Sequence, residues 1–179
     1  MERTDEALAR AAACGDREAF ASLLARHYDR LFAFAFRLSG SRHEAEDLTQ
    51  DICAALPAKL ATFRGEARFS TWLYRVAVNA MHDRRRRAAT RTRAADGWGD
   101  WEKNRRAVND EAAGNLDWLA QAMRALPEDL RDTVALVLGE EMKQSQAAQV
   151  LGVSEGTVAW RMSEVKKRLK HLRETEDWP

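Results

Sequence analysis

The chain reads as all-α: two small helical domains joined by a linker, the C-terminal one with a helix-turn-helix. Three observations predict this. Proline and glycine are scarce, 3 and 9 in 179 residues, so helix-breaking positions are few. Apolar residues recur with a period near 3.6 in several separated stretches, and none alternates with the period of two that a strand requires. Between residues 91 and 115 the periodicity fades into a mixture of Gly, Asn, Asp, Arg and Ala, the composition of a connection between domains. The chain therefore divides into residues 1–90, a linker over 91–115, and residues 116–179. Trp98 and Trp101 are unusual in such a linker, because free disorder avoids tryptophan; they suggest docking on one of the domains or on a partner. No internal repeat at a solenoid period is present.

Bulk composition narrows the function classes. Hydrophobic residues make up 45% of the chain, enough for a core, and charged residues 32%, enough for a well-solvated surface. No apolar run approaches the ~20 residues of a membrane span. The start, MERTDEALARAAACGD, is too charged for the apolar region of a secretory signal. The expectation is a cytoplasmic protein with no membrane insertion. Cys14 and Cys53 form no CxxC and have no nearby His partner, so they read as buried small residues and not as a metal site; a redox-sensing thiol stays open. The net charge of +1 is unevenly placed: +3 over residues 1–90, 0 over 91–116 and −2 over 117–179. A free-standing nucleic-acid binder is usually more basic, so any contact with DNA calls for a partner that supplies much of the phosphate attraction.

The first helix fits Asp5 to Cys14, capped by Thr4 and stopped by Gly15. Asp16 caps a longer one, whose core face is Phe20, Leu23, Leu24, Tyr28, Leu31, Phe34, Ala35 and Leu38, ending at Ser39-Gly40. Its four aromatics from Tyr28 to Phe36 read as core. Ser41 and Glu44 make a capping box for the third helix, which buries Ala45, Leu48, Ile52 and Leu56 and shows Glu44, Asp47, Gln50 and Asp51 outside. That acidic face is either simply solvated or a docking surface for a basic partner. A metal site from His43, Glu46 and Asp47 is a poor fit, because those side chains do not converge on a helix. Pro57 interrupts the pattern.

The stretch FRGEARFSTWLYRVAVNAMHDRRRR, residues 63–87, follows. A polar loop lies between Phe63 and Phe69, and Ser70 is placed to cap a helix. Trp72, Leu73, Val76, Ala77, Ala80 and Met81 would face a core, while Arg75, Asn79, His82 and Arg86 line another side. The helix is expected to end in Arg84–Arg87. Two readings fit: an amphipathic helix with a solvated basic end, or a surface of aromatics and cations for unstacked bases and their phosphates.

Beyond the linker, Asn115 caps a helix with Leu116, Leu119, Met123 and Leu126 inward. Pro127 opens another in a favoured first-turn position, and Gly139 ends it. From Lys143 the chain reads KQSQAAQVLGVSEGTVAWRMSEVKKRLK. A short helix stops at Gly152-Val153, Ser154 caps the next, and Val158, Met162, Val165 and Leu169 face inward. Ala148 where the helices cross and Gly152 in the turn are helix-turn-helix grammar; a plain helical hairpin is the alternative. A second helix of this kind lies in the major groove, presenting Thr157, Trp160, Ser163, Glu164 and Lys167, with Arg161 and the run Lys166–Arg168 suited to phosphates.

With these motifs in order, the chain resembles a sigma factor of bacterial RNA polymerase, of the small two-domain extracytoplasmic-function group, from about Phe20 to Leu169 without the linker. HEAEDLTQDI resembles the helix that docks on core polymerase, FRGEARFSTWLYRVAVN the promoter-melting segment, and QAAQVLGVSEGTVAWRM the C-terminal helix-turn-helix. The resemblance implies that Glu44, Asp47, Gln50 and Asp51 meet core RNA polymerase. It gives the −10 element to Phe63, Arg64, Gly65, Arg68, Phe69, Arg75, Asn79, Arg84, Arg85 and Arg86, with Asn79 near an extruded base and the arginines on phosphates. It gives the −35 element to Ser154, Thr157, Trp160, Arg161, Ser163, Glu164 and Lys167. It also implies an anti-sigma partner, no cofactor or metal, and no catalytic centre. Ala159-Trp160 and Ser163-Glu164 depart from the usual family residues and alter the groove-facing surface, so the resemblance does not carry over a typical −35 sequence. Trp160 either faces the groove or packs back on its own domain. Alternatives from other classes are a stand-alone helix-turn-helix transcriptional regulator and, on scattered His and carboxylates alone, a metal-dependent nuclease.

Overall fold

Side-chain caps start the first helices. Thr4 Oγ1 accepts from the Ala7 N–H at 3.3 Å and Asp16 Oδ1 from Ala19 N–H at 3.0 Å, each satisfying one of the donors a helix start leaves open. In the computed structural model, which describes residues 3–95 and 121–175, these open α1 (Asp5–Ala13) and α2 (Arg17–Ser39). Gly40 ends α2 at φ +69°, a left-handed conformation that glycine adopts without a Cβ penalty. Ser41 then caps α3 (Arg42–Leu60), accepting from Glu44 N–H at 3.4 Å. α4 runs from Phe69 to Ala95.

α2 supplies the centre of this first group. Leu23, Leu31, Phe34, Ala35 and Leu38 are buried along one stripe, and meet Ala45, Leu48, Ile52, Leu56 and Leu60 of α3 and Leu73, Ala77, Val78 and Met81 of α4. Phe34 has no exposed surface, and its ring meets Tyr74 edge-on with centroids 4.8 Å apart. Burying one such side chain contributes about 1.5–3 kcal/mol.

The second group starts with helical residues 121–125. α5 (Glu128–Val134) continues into a π-helical turn, Ala135–Gly139. α6 (Gln144–Leu151) and α7 (Glu155–Thr175) form a helix-turn-helix. Gly152 in its turn has φ +67°, and Ser154 caps α7 by accepting from Thr157 N–H at 3.1 Å. Leu130, Val134, Ala147, Val150, Val158, Met162 and Val165 are its core.

Several expectations change. α3 continues through Pro57 to Leu60. Proline removes one ladder donor and costs about 3 kcal/mol in a helix interior; here it lies on the exposed side of the last turns, and burial of Leu56 and Leu60 beside it offsets the loss. Ser70 is not a cap, because α4 begins one residue earlier; the Phe69 N–H donates instead to Glu6 Oε1 of α1 at 3.1 Å. α4 passes Arg87, where the helix was expected to end, and reaches Ala95. Tyr28 is exposed and His27 takes the buried place, its Nε2 2.8 Å from Asp5 Oδ2. Cys14 is exposed and Cys53 half-buried. Pro127 sits at the cap position just ahead of α5. The tryptophans at 98 and 101 and the cap expected at Asn115 lie outside the described residues.

The two groups of helices pack on one another: α4 lies against α6, and α2 against α5 and the π turn. Among the described residues no helix is long and apolar enough to cross a membrane.

Glu6→Ala keeps α1 helical but leaves the Phe69 N–H without its acceptor. Loss of a cap of this kind costs about 1 kcal/mol, and a drop of that size in the urea-unfolding free energy is the expected outcome. An unchanged midpoint would show that solvent satisfies the donor.

Candidate nucleic-acid and partner interface

α3 and α4 place the N-terminal candidates side by side. Glu44, Gln50 and Asp51 are exposed on α3 and Asp47 is half-buried. Arg84 of α4 reaches across to this face, with Nη1 2.5 Å from Asp51 Oδ2 and Nη2 3.4 Å from Asp47 Oδ2. The acidic face and the basic run, separate in the sequence, are one mixed-charge surface in the fold.

The arginine run is split among different partners because a helix turns about 100° per residue. Arg84 faces α3. Arg85 faces α5, where Nη1 donates to both oxygens of Asp132 at 3.1 and 3.2 Å while Nη2 donates to the Leu38 carbonyl at 2.8 Å. Arg86 pairs with Asp83 on its own helix at 2.8 Å.

The loop between α3 and α4 exposes Arg64, Gly65 and Arg68, and Gly65 turns it at φ +74°. Phe63 is half-buried, its ring packed against Phe69 and Trp72 with centroids 5.7 and 5.5 Å away. Phe69 departs from the reading that gave it a base to hold. It is 1% exposed, wedged between His27, Phe63 and Trp72, so its ring is a core element in this conformation. Apolar residues at both ends of a polar loop look alike in sequence; only the outer one stays near solvent. Asn79 and Arg75 are exposed on α4, and the Arg75 guanidinium donates to the Gln149 carbonyl of α6.

Of the α7 residues expected to face the major groove, Trp160, Ser163 and Lys167 are the exposed ones. Trp160 is 61% exposed, so it does not pack back onto its own domain. Ser163 and Lys167 are exposed, and Thr157 is half-buried with its hydroxyl 2.8 Å from Ser154 Oγ. Glu164 is held by Lys167 at 3.7 Å and Arg168 at 3.6 Å. Arg161 is only 17% exposed and turns inward to Asp129 at 3.4 Å. The Lys143 N–H donates to Gln146 Oε1 at 3.1 Å; lysine has no acceptor of its own, so this helix start is capped from one side only.

Sequence reasoning missed the residues that join the two groups of helices. Glu140, 2% exposed at its side chain, is inserted between Arg37, Arg30 and the Tyr74 hydroxyl. Burial and the hydrogen bond to Glu140 push the Tyr74 phenol well above its usual range. The π turn lies against Arg37 so closely that a Cβ at Gly139 would collide with that side chain. Asp132, also 2% exposed, takes Arg85 and His82, with His82 Nε2 2.7 Å from Oδ2. The signal available was the run of carboxylates at Asp129, Asp132 and Glu140 in an otherwise apolar helix pattern. Among the described residues no group of His, Cys, Asp and Glu is arranged to hold a metal ion, and burial raises the Cys53 thiol above its usual value.

The geometry defines an all-helical factor with a helix-turn-helix at one end and a polar, cationic helix–loop surface at the other. The model of Sigma-70 region 2 matches residues 23–91, and that of Sigma-70 region 4 matches residues 116–169. The chain is 34% identical to the ECF RNA polymerase sigma factor SigM of Mycobacterium tuberculosis, over 96% of this chain and 85% of that one. It is 30% identical to the RNA polymerase sigma factor CnrH of Cupriavidus metallidurans, over 98% and 97%. The structure of CnrH in complex with the cytosolic domain of CnrY superposes with a TM-score of 0.72 at 28% identity, covering 97% of this chain and 99% of that one. The chain therefore belongs to the extracytoplasmic-function group of the sigma-70 family, and it is a promoter-directing transcription initiation factor. The stand-alone regulator is not favoured.

The hydrogen bond to Asp132 raises the His82 pKa against the opposing effect of burial. Protonated His82 favours this pairing. Its contribution is fully present below the ordinary histidine value near 6.5 and is lost as pH rises through the raised one. Arg85 and Arg86 on its own helix, Glu128, Asp129 and Asp132 on α5 and Arg161 on α7 line the same cleft. Relative to His82→Gln, the wild-type chain should lose stability as the pH rises above about 6.5, measured as urea midpoints. Parallel pH profiles would remove His82 from the interface energetics.

Proposed function

We propose that residues 1–90 dock on core RNA polymerase and open the −10 element, and that residues 116–179 read the −35 element, with 91–115 as the connection. Glu44, Asp47, Gln50 and Asp51 form the polymerase-docking face. What supports this is a row of short polar side chains on one side of a helix whose opposite side is fully buried. Arg64, Gly65, Arg68, Arg75 and Asn79, with Phe63 at the edge of the loop, capture the unpaired strand. Extruding a base costs a few kcal/mol, which a fitted pocket must offset, and a polar loop next to an exposed Asn and Arg is suited to that task. Arg84, Arg85 and Arg86 hold backbone phosphates. On α7, Ser154, Thr157, Trp160, Ser163, Glu164 and Lys167 meet DNA, with Glu164 able to accept from cytosine N4. Arg161 orients the helix through Asp129 before it touches any phosphate.

The factor works by binding and not by catalysis: opening DNA draws on affinity for unpaired bases. It acts in the cytoplasm, where the polymerase is. The solved structure of CnrH with the cytosolic domain of CnrY supports a comparable anti-sigma partner for this chain.

Transcription with purified core polymerase is the deciding experiment: added chain is expected to direct initiation at a discrete set of genomic promoters. If it neither binds core nor directs any initiation, the reading is lost. Asp51→Arg should weaken core binding by tenfold or more at fixed salt, because it reverses a charge on the docking face and sets a second cation beside Arg84. Lys167→Ala should weaken DNA binding evenly across sequences if it contacts phosphate, and lower the salt slope by about one; a loss confined to some sequences would assign it to bases instead.

A further inference from the structure

Arg85 is proposed above to hold phosphate, yet in the structure it holds a carboxylate. Asp132 accepts from Arg85 Nη1 with both oxygens at 3.1 and 3.2 Å, and its Oδ2 is also 2.7 Å from His82 Nε2. The Leu38 carbonyl fixes the guanidinium from the other side at 2.8 Å. Arginine donors meet carboxylate and phosphate oxygens with the same charge-assisted geometry. We propose that Asp132 occupies the seat of a promoter backbone phosphate on Arg85 and His82, so that packing of the C-terminal helices and phosphate binding at this socket exclude one another. The inference rests on the promoter-binding reading, and adds His82 to the residues that hold DNA.

Three further observations carry it. The C-terminal helices hold α4 at three levels, through Gln149 on Arg75, Glu140 on Tyr74, and Asp132 on His82 and Arg85. The helix covered is the one that bears the strand-capturing face. The open cleft beside the socket is lined by His82, Arg85 and Arg86 from α4, but by Glu128, Asp129 and Asp132 from α5. When α5 leaves, its acids leave with it, and the wall that remains is cationic. Finally, a packed chain of this length has a radius of gyration of about 16 Å. Positions −35 and −10 lie about 25 base pairs apart, about 85 Å of helix at 3.4 Å per pair. The packed form cannot reach both elements, so the contact on Asp132 must break before both are read.

The test uses the full chain, a short labelled DNA duplex followed by anisotropy across a KCl series, and small-angle scattering. Asp132→Asn should raise the radius of gyration, tighten duplex binding several-fold and steepen the salt slope by about one, the value for one added phosphate contact. Adding Arg85→Ala to Asp132→Asn should keep the chain extended while removing that gain in slope. Glu140→Ala opens the packing without touching the socket, so it should extend the chain and show the same gain in affinity and slope, again removed by Arg85→Ala; it serves if Asp132→Asn folds poorly. The proposal is overturned if the variants extend but bind with unchanged affinity and slope, if Arg85→Ala takes nothing from the extended form, or if neither variant extends. These outcomes are read on duplex and scattering alone, whereas failure of the promoter-binding reading is read on core polymerase, so the two are separable.

Discussion

Two buried carboxylates hold this conformation together. Asp132 and Glu140 come from the C-terminal helices and end among the cations and the phenol of α2 and α4. A carboxylate taken out of water is tolerated only when paired and hydrogen-bonded. Each of these is: Asp132 by Arg85 and His82, Glu140 by Arg37, Arg30 and Tyr74. The π turn between them has a structural task. It ends at Gly139, over which Arg37 lies, and it delivers Glu140 to its partners. The next residue, Glu141, is left at φ +52°, the one non-glycine residue with positive φ among those described. Strain of this kind persists only where surrounding contacts over-determine it.

A contact made of ion pairs differs from one made of apolar surface. When it separates, each partner regains water, so the groups released are at home in the open form as well. Burying a pair is close to break-even, while removing one member alone is costly. The ionic part of the packing is thus conditional on its partners, in a way that the apolar cluster running through both halves, built on residues such as Phe34, Leu48 and Leu136, is not.

The helices themselves were legible because caps and periodicity are local. Thr4, Asp16, Ser41 and Ser154 each start a helix where expected, and the helix-turn-helix stands on Gly152 and Ser154 as read. The misreadings arise where tertiary contact overrides a local rule. Pro57 breaks a pattern on paper, but Leu60 has a place in the core and pulls the helix onward. Ser70 is a good cap, but Glu6 arrives from α1 and starts the helix at Phe69. Phe69 and Phe63 bracket the same loop, and only packing separates a core ring from a peripheral one. The basic run read as one feature; three successive arginines on a helix cannot face one way, so the fold gives them to α3, to α5 and to Asp83. Asp132 and Glu140 were silent because their partners lie 47 to 110 residues away in sequence.

α4 carries its contacts on a continuous helix of 27 residues, about 40 Å long. From Phe69 in the core, through Tyr74 and Arg75, to His82, Arg84 and Arg85, every assignment depends on angular phase. Inserting or deleting one residue between Arg75 and Arg85 would rotate everything downstream by about 100°. Arg85 would swing away from Asp132 and Arg84 from Asp51 together. Individual positions along this helix can therefore change in evolution far more freely than the count of residues between them, and descendants of this chain should vary in letters there while keeping its length.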